Sequence, residues 1–177
     1  GTKIRYCQGS SLTKSEDRML VGNWDNCYLT YSLSDYSLIN SENELFPGNF
    51  NKVRINSIVK DNYGANWIGS QKGILIKDTK GQSRNLETLI KNENVISIIK
   101  LESNKVAVVT NSGFVLFENN SEIFKITEIK RVHLAQTTTI CFMSENEYLA
   151  GTLNGIIYHY KGRQIVLSVN HGILSEN

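Results

Sequence analysis

At 177 residues the chain can hold one domain or two small ones, and with 40% hydrophobic residues it has enough apolar sequence to bury a real core. A net charge of +2, from 19 basic and 17 acidic residues that are interspersed, gives no basic stripe and so no support for nucleic-acid capture. There is one proline and no run of 18 apolar residues, which excludes a membrane-spanning helix and a low-complexity linker.

The first ten residues, GTKIRYCQGS, lack the apolar region of a signal peptide, and a Gly start suggests a processed or excised fragment. Residues 1–7 read as a strand standing before the first repeat. From residue 10, SSLTK, RMLVG and CYLTYS read as strands separated by the turns SED and NWDN. The polar link 33–52 holds a fourth strand at 36–39 and an excursion ending at Pro47 and Gly48. Residues 55–76, INSIVKDNYGANWIGSQKGILI, give three strands with the turns DNYG and QKG between them, and a fourth strand is expected at 83–88 before the linker LIKNENV. A third set follows as VISIIKL, KVAVVT, FVLFE and EIFKIT, and a fourth as TTTICFM, YLAGT, IIYHY and QIVLSV. No segment shows a sustained helical period with caps; residues 85–94 are better explained as strand plus linker.

The units are copies of one pattern. Aligned on the residue before the second turn, the anchors Asn23, Ser70, Thr110 and Thr152 lie 47, 40 and 42 positions apart, the length of a four-stranded propeller blade. The expected fold is all-β: a β-propeller domain or fragment with about four four-stranded antiparallel blades at residues 8–50, 51–92, 93–134 and 135–170. Residues 1–7 would be a strand of a preceding blade and 171–177 a linker to a following one, as in part of a larger propeller. Radial repetition suits such sheets because one four-stranded sheet cannot bury both faces alone.

Within DNYGANWIGSQKGI, residues Asp61, Gly64, Trp67, Ile68, Gly69, Ser70 and Gly73 resemble the two-component regulator propeller repeat, and HGILSEN resembles its inter-repeat linker. Gly151, Thr152 and Gly155 keep part of the pattern in the fourth unit, Thr110 and Gly113 in the third, and Gly22 alone in the first. The resemblance implies the periplasmic or otherwise extracytoplasmic sensor region of a hybrid histidine kinase or related regulator, of a kind abundant in Bacteroidetes and often tuned to glycans. It implies membrane attachment only through parts outside this chain.

Cys7, Cys27 and Cys141 are dispersed and form no CxxC pair, so thiolate metal binding is not expected. They read as small buried hydrophobes, with a Cys7–Cys27 bridge as the sharper alternative. His133, His159 and His171 share no ligand spacing, and no nucleophile elbow, phosphate loop or zinc-protease motif occurs. Neither a metal nor another cofactor is expected, and the chain reads as a binding module, not an enzyme. Asp61 and Trp67 read as scaffold: a turn-holding carboxylate and an inter-blade packing ring.

Trp24 differs, because the NWDN turn does not require a large aromatic. It can stack on a sugar or be an incidental surface ring. In propellers the turns between second and third strands share one mouth of the ring, so Trp24, Asp25, Gln71, Lys72, Asn111 and Asn154 form the expected ligand platform. Three functions remain open: an oligosaccharide-sensing module, a propeller for protein association in a secretion or surface assembly, and a propeller lyase or glycosidase. A homodimer, or the rest of a larger propeller, is the further partner this architecture allows.

Overall fold

The computed structural model describes residues 9–24, 26–43, 45–46, 53–86, 90, 93–120 and 126–167. These form sixteen strands in four antiparallel sheets of four. The first sheet holds β1 (Gly9–Ser15), β2 (Arg18–Asn23), β3 (Tyr28–Ser32) and β4 (Leu38–Glu42); the second holds β5 (Ile55–Lys60), β6 (Asn66–Ser70), β7 (Gly73–Lys77) and β8 (Ser83–Asn85). The third holds β9 (Val95–Lys100), β10 (Lys105–Thr110), β11 (Gly113–Asn119) and β12 (Ile126–His133), and the fourth β13 (Thr137–Ser144), β14 (Glu147–Thr152), β15 (Gly155–Tyr160) and β16 (Arg163–Leu167). Each sheet is a meander whose strands pair in sequence order, as connections of two to six residues dictate. Strand β1 packs on β5, β5 on β9, and β13 on β9 and β10, so the first strands of successive sheets lie side by side.

Two expected strands move. The fourth strand of the first sheet begins at Leu38, not at residue 36. Asp35 takes the Ser37 amide (3.1 Å) and hydroxyl (2.8 Å) on one oxygen, and Tyr36 sits at φ 57°, which holds both in a turn. The fourth strand of the third sheet is Ile126–His133, whereas the apolar run EIFKIT pointed to 122–127, of which 122–125 lie outside the described residues. An edge strand with one wet face needs no apolar run, and the charged stretch ITEIKRVH pairs with β11 along its whole length, Gly113 to Asn119. The expected strand at residues 1–7, the linker at 171–177, Cys7 and His171 also lie outside the described residues.

Three apolar clusters fill the three interfaces. Leu20, Tyr28, Ile55, Ile58, Ile68 and Leu75 join sheets one and two. Trp67, Ile74, Ile76, Val95, Val106 and Phe117 join two and three; Ala107, Phe114, Leu116, Ile140 and Tyr148 join three and four. Trp67 is fully buried, its ring centroid 5.9 Å from that of Phe117. Removing roughly 150–250 Å² of such a ring from water contributes about 4–6 kcal/mol at about 25 cal/mol per Å². His159 stacks on Tyr148 (4.8 Å, 4°) and its Nδ1 lies 3.0 Å from the Asn146 carbonyl oxygen, a packing role.

The interfaces share one joint. A β-carbon built on Gly22 would lie 2.5 Å from Ile55 Cγ2, and one built on Gly69 would lie 2.5 Å from Val95 Cγ1, so each glycine leaves a bay for the first residue of the next sheet. Gly151 holds the same register in sheet four, yet among the described residues the atoms nearest to a β-carbon there belong to Thr138 and Thr139 of its own sheet. On that face Cys141, which is exposed and not buried as its apolar context suggests, stands with Leu149, Tyr158 and Ile165 in one cross-strand row. The row matches the one that Trp67 and Ile76 form in sheet two, but Leu149 is 37% and Ile165 53% exposed.

Candidate functional site

The anchor residues of the repeat turn out to be the pins of the turns between second and third strands. Ser70 Oγ accepts the Lys72 amide (3.0 Å) and donates to the Gly73 carbonyl (3.2 Å); Thr152 Oγ1 does the same with the Asn154 amide (3.2 Å) and the Gly155 carbonyl (2.9 Å). Asn23, fully buried, accepts the Cys27 amide on Oδ1 (3.2 Å) and donates its own amide to Cys27 Sγ (2.7 Å). Thr110 Oγ1 accepts the Ser112 amide (3.3 Å). A hydroxyl or amide at this position, buried in the first three sheets and half-buried in the fourth, therefore fixes each turn and leaves the next residues at its tip.

These turns are laced to the links between sheets. The Gln71 amide donates to the Arg54 carbonyl (3.3 Å), the Thr137 amide to the Asn111 carbonyl (3.1 Å), and the Leu153 amide to the Gln136 carbonyl (3.2 Å). Gln71, Asn111 and Asn154 are exposed at the tips, Lys72 is half-buried, and the Asn154 amide reaches Gln136 Oε1 at 3.4 Å. Trp24 is 43% exposed, with the Arg54 guanidinium 4.7 Å above its ring centroid. Arg54 thus bridges the first two turns, its guanidinium on Trp24 and its carbonyl on the Gln71 amide. Asp25 lies outside the described residues. Sequence reasoning missed Arg54, because a lone arginine before a strand carries no motif.

A carboxylate cluster stands beside the third turn. Glu93 accepts hydroxyl bonds from Thr110 (2.6 Å) and Ser112 (2.5 Å), and Arg131 lies 3.9 Å away while bonding Glu128 through two nitrogens. Burial opposes its charge, but those hydroxyls, with Arg131 and His133, outweigh it and hold the Glu93 carboxyl below its ordinary range. Such a group is a fixed anion near neutral pH and a poor proton donor.

Four blades stacked by their first strands, with pinned turns along one rim, define a β-propeller architecture. Solved structures bear this out. The chain is similar to the β-propeller domain of Swd1 (Cps50) from Myceliophteria thermophila (TM-score 0.62, 14% identity), covering 93% of this chain and 57% of that one. It is similar to the extracellular domain of the putative hybrid two-component system BT4673 from B. thetaiotaomicron (TM-score 0.59, 18% identity), covering 84% of this chain and 21% of that one. It also resembles the computationally designed protein Ika4 (TM-score 0.61, 13% identity), where 95% and 96% of the two chains are covered. The chain thus spans just over half of the Swd1 domain and about a fifth of the sensor domain. No family model matches the sequence, and no curated protein does.

Proposed function

We propose that this chain is the ligand-reading part of a non-catalytic, extracytoplasmic propeller of the two-component regulator kind, and that it recognises an oligosaccharide at the rim of pinned turns. The observation that carries the reading is Trp24: a large indole held at a rim, half out of water, with a cation on one face and amide side chains along the same edge. An aromatic face backed by amides suits a sugar ring, whose C–H surface stacks while its hydroxyls take hydrogen bonds. The likeness to the extracellular domain of BT4673 supports the sensor class and location. Sensing requires the ligand to prefer one of two conformations of the receptor.

Calorimetric titration with a panel of neutral and acidic oligosaccharides tests this. One member of the panel is expected to bind saturably, and Trp24→Ala is expected to weaken that binding about tenfold or more. A panel without any binder, or one whose binder is indifferent to Trp24→Ala, contradicts the reading.

A second reading, a propeller that docks another protein, is favoured by the exposed face of the last blade that carries Leu149, Ile156 and Ile165. A stable protein partner released by Leu149→Lys, with no saccharide bound, would move the assignment there.

A further inference from the structure

A second site lies in the groove between the first two blades. There a cavity of about 520 Å³, within the range of small-ligand pockets, opens between the β1–β2 turn region and the β5–β6 and β7–β8 turns. Its construction follows from a turn that the sequence uses twice. Asp61 and Asp78 both begin a D-x-x-G turn, DNYG and DTKG, with the glycines at φ 84°. In each, one carboxylate oxygen takes two backbone amides. For Asp61 they are those of Tyr63 (2.9 Å) and Ala65 (2.9 Å); for Asp78, those of Lys80 (2.9 Å) and Gln82 (2.7 Å).

The second oxygens differ. Asp61 Oδ2 is satisfied by Trp67 Nε1 (2.9 Å) and Asn119 Nδ2 (2.5 Å), which close the next interface. Asp78 Oδ2 is buried and has no hydrogen-bond partner among the described residues, in a side chain only 8% exposed that lines the cavity. Asn66 Oδ1, on the same lining, is likewise buried and without a partner among the described residues. Two residues of the lining therefore each keep a buried oxygen without a donor among the described residues, and an unmade bond to a buried carboxylate is the costly kind.

The rest of the lining sets the ligand's other end. Glu42 is already engaged by Lys77, by the Tyr28 hydroxyl (2.8 Å) and by Asn40 (3.3 Å). Lys60 makes a direct ion pair with the exposed Glu16 (3.2 Å), Arg18 meets exposed Asp17 (3.7 Å), and Lys80 is exposed at the turn. The lining itself carries four cations and two carboxylates, with Glu16 and Asp17 beside it pairing Lys60 and Arg18. A primary ammonium satisfies both orphaned acceptors with charge-assisted bonds, whereas a hydroxyl offers one proton; a carboxylate on the same molecule answers the excess cations.

We propose that this inter-blade groove binds a small zwitterion with a primary ammonium and a carboxylate, an amino acid or dipeptide. The ammonium sits on Asp78 and Asn66 and the carboxylate is turned toward Lys60 and Lys80. The site does not depend on the rim reading above.

Titration of the chain with L-alanyl-L-alanine, ethylamine and acetate tests it. The dipeptide is expected to bind saturably and about tenfold or more tighter than either half-molecule. Asp78→Asn keeps the oxygen that holds the turn while replacing the orphaned one, and is expected to weaken the dipeptide about tenfold or more with little change in thermal midpoint. The surface double variant Lys60→Gln/Lys80→Gln, which leaves the turn untouched, is expected to weaken it severalfold and to spare ethylamine. No saturable dipeptide binding by the unsubstituted chain overturns the proposal. So does dipeptide binding indifferent to both variants, or binding lost in Trp24→Ala and kept in Asp78→Asn, which would move the ligand to the rim.

Discussion

Asp61→Ala is expected to lower stability by about 3–5 kcal/mol, a loss seen as an earlier urea midpoint at unchanged slope. The aspartate is 6% exposed and receives four donors: the amides of Tyr63 and Ala65, the indole of Trp67 and the side-chain amide of Asn119. Alanine leaves the last two buried in the interface between blades two and three, away from water, and each unmet buried donor costs about 1–3 kcal/mol. The turn loses its brace as well. Asp61→Asn is expected to cost less, because one amide oxygen can still hold the turn, but its NH₂ group then faces two other donors. An Asp61→Ala midpoint within error of the unsubstituted chain would mean that the carboxylate ties nothing together.

Gly69→Val is expected to cost about 3 kcal/mol or more by the same measurement, for a steric reason. The added β-carbon would fall 2.5 Å from Val95 Cγ1 and 3.1 Å from Ile98 Cδ1, well inside van der Waals contact, in an interface already filled by Trp67 and Phe117. Because the tightest clash is with Val95, Val95→Ala should recover part of the loss, and the two substitutions together should cost less than their sum. If they simply add, the bay is not where the blades meet. Gly73→Val is damaging through the backbone instead: its φ of 111° suits glycine, while the nearest atom to a built β-carbon is 3.7 Å away.

The blade pattern was legible because its causes are local. Alternating and continuous apolar runs broken by Gly, Asn and Asp specify strands and tight turns, and the four anchors are small polar residues because each must pin a turn from inside. Trp67 could be read as scaffold from its place in mid-strand. What stayed hidden depends on partners distant in sequence. Asn119 meets Asp61 across 58 positions, and Arg54 covers Trp24 from a different blade. β12 was misplaced because its charged sequence gives no apolar alternation, and β4 because Asp35 holds Tyr36 in a turn. The groove could have been suspected from one signal, the repeated D-x-x-G at Asp61 and Asp78, though only the packing of blades one and two shows which oxygen is left over.

The two tryptophans of the sequence stand in opposite environments, Trp67 sealed in an interface and Trp24 exposed on the rim, where the proposed function makes it the reader. Acrylamide quenching of the intrinsic fluorescence tests it directly. Two populations are expected, one quenched and red-shifted and absent from Trp24→Phe, the other blue-shifted and inaccessible. Addition of the bound saccharide should shield the first and leave the second unchanged. A single accessible population, or a saccharide that binds without altering the quenching of Trp24, would contradict the account.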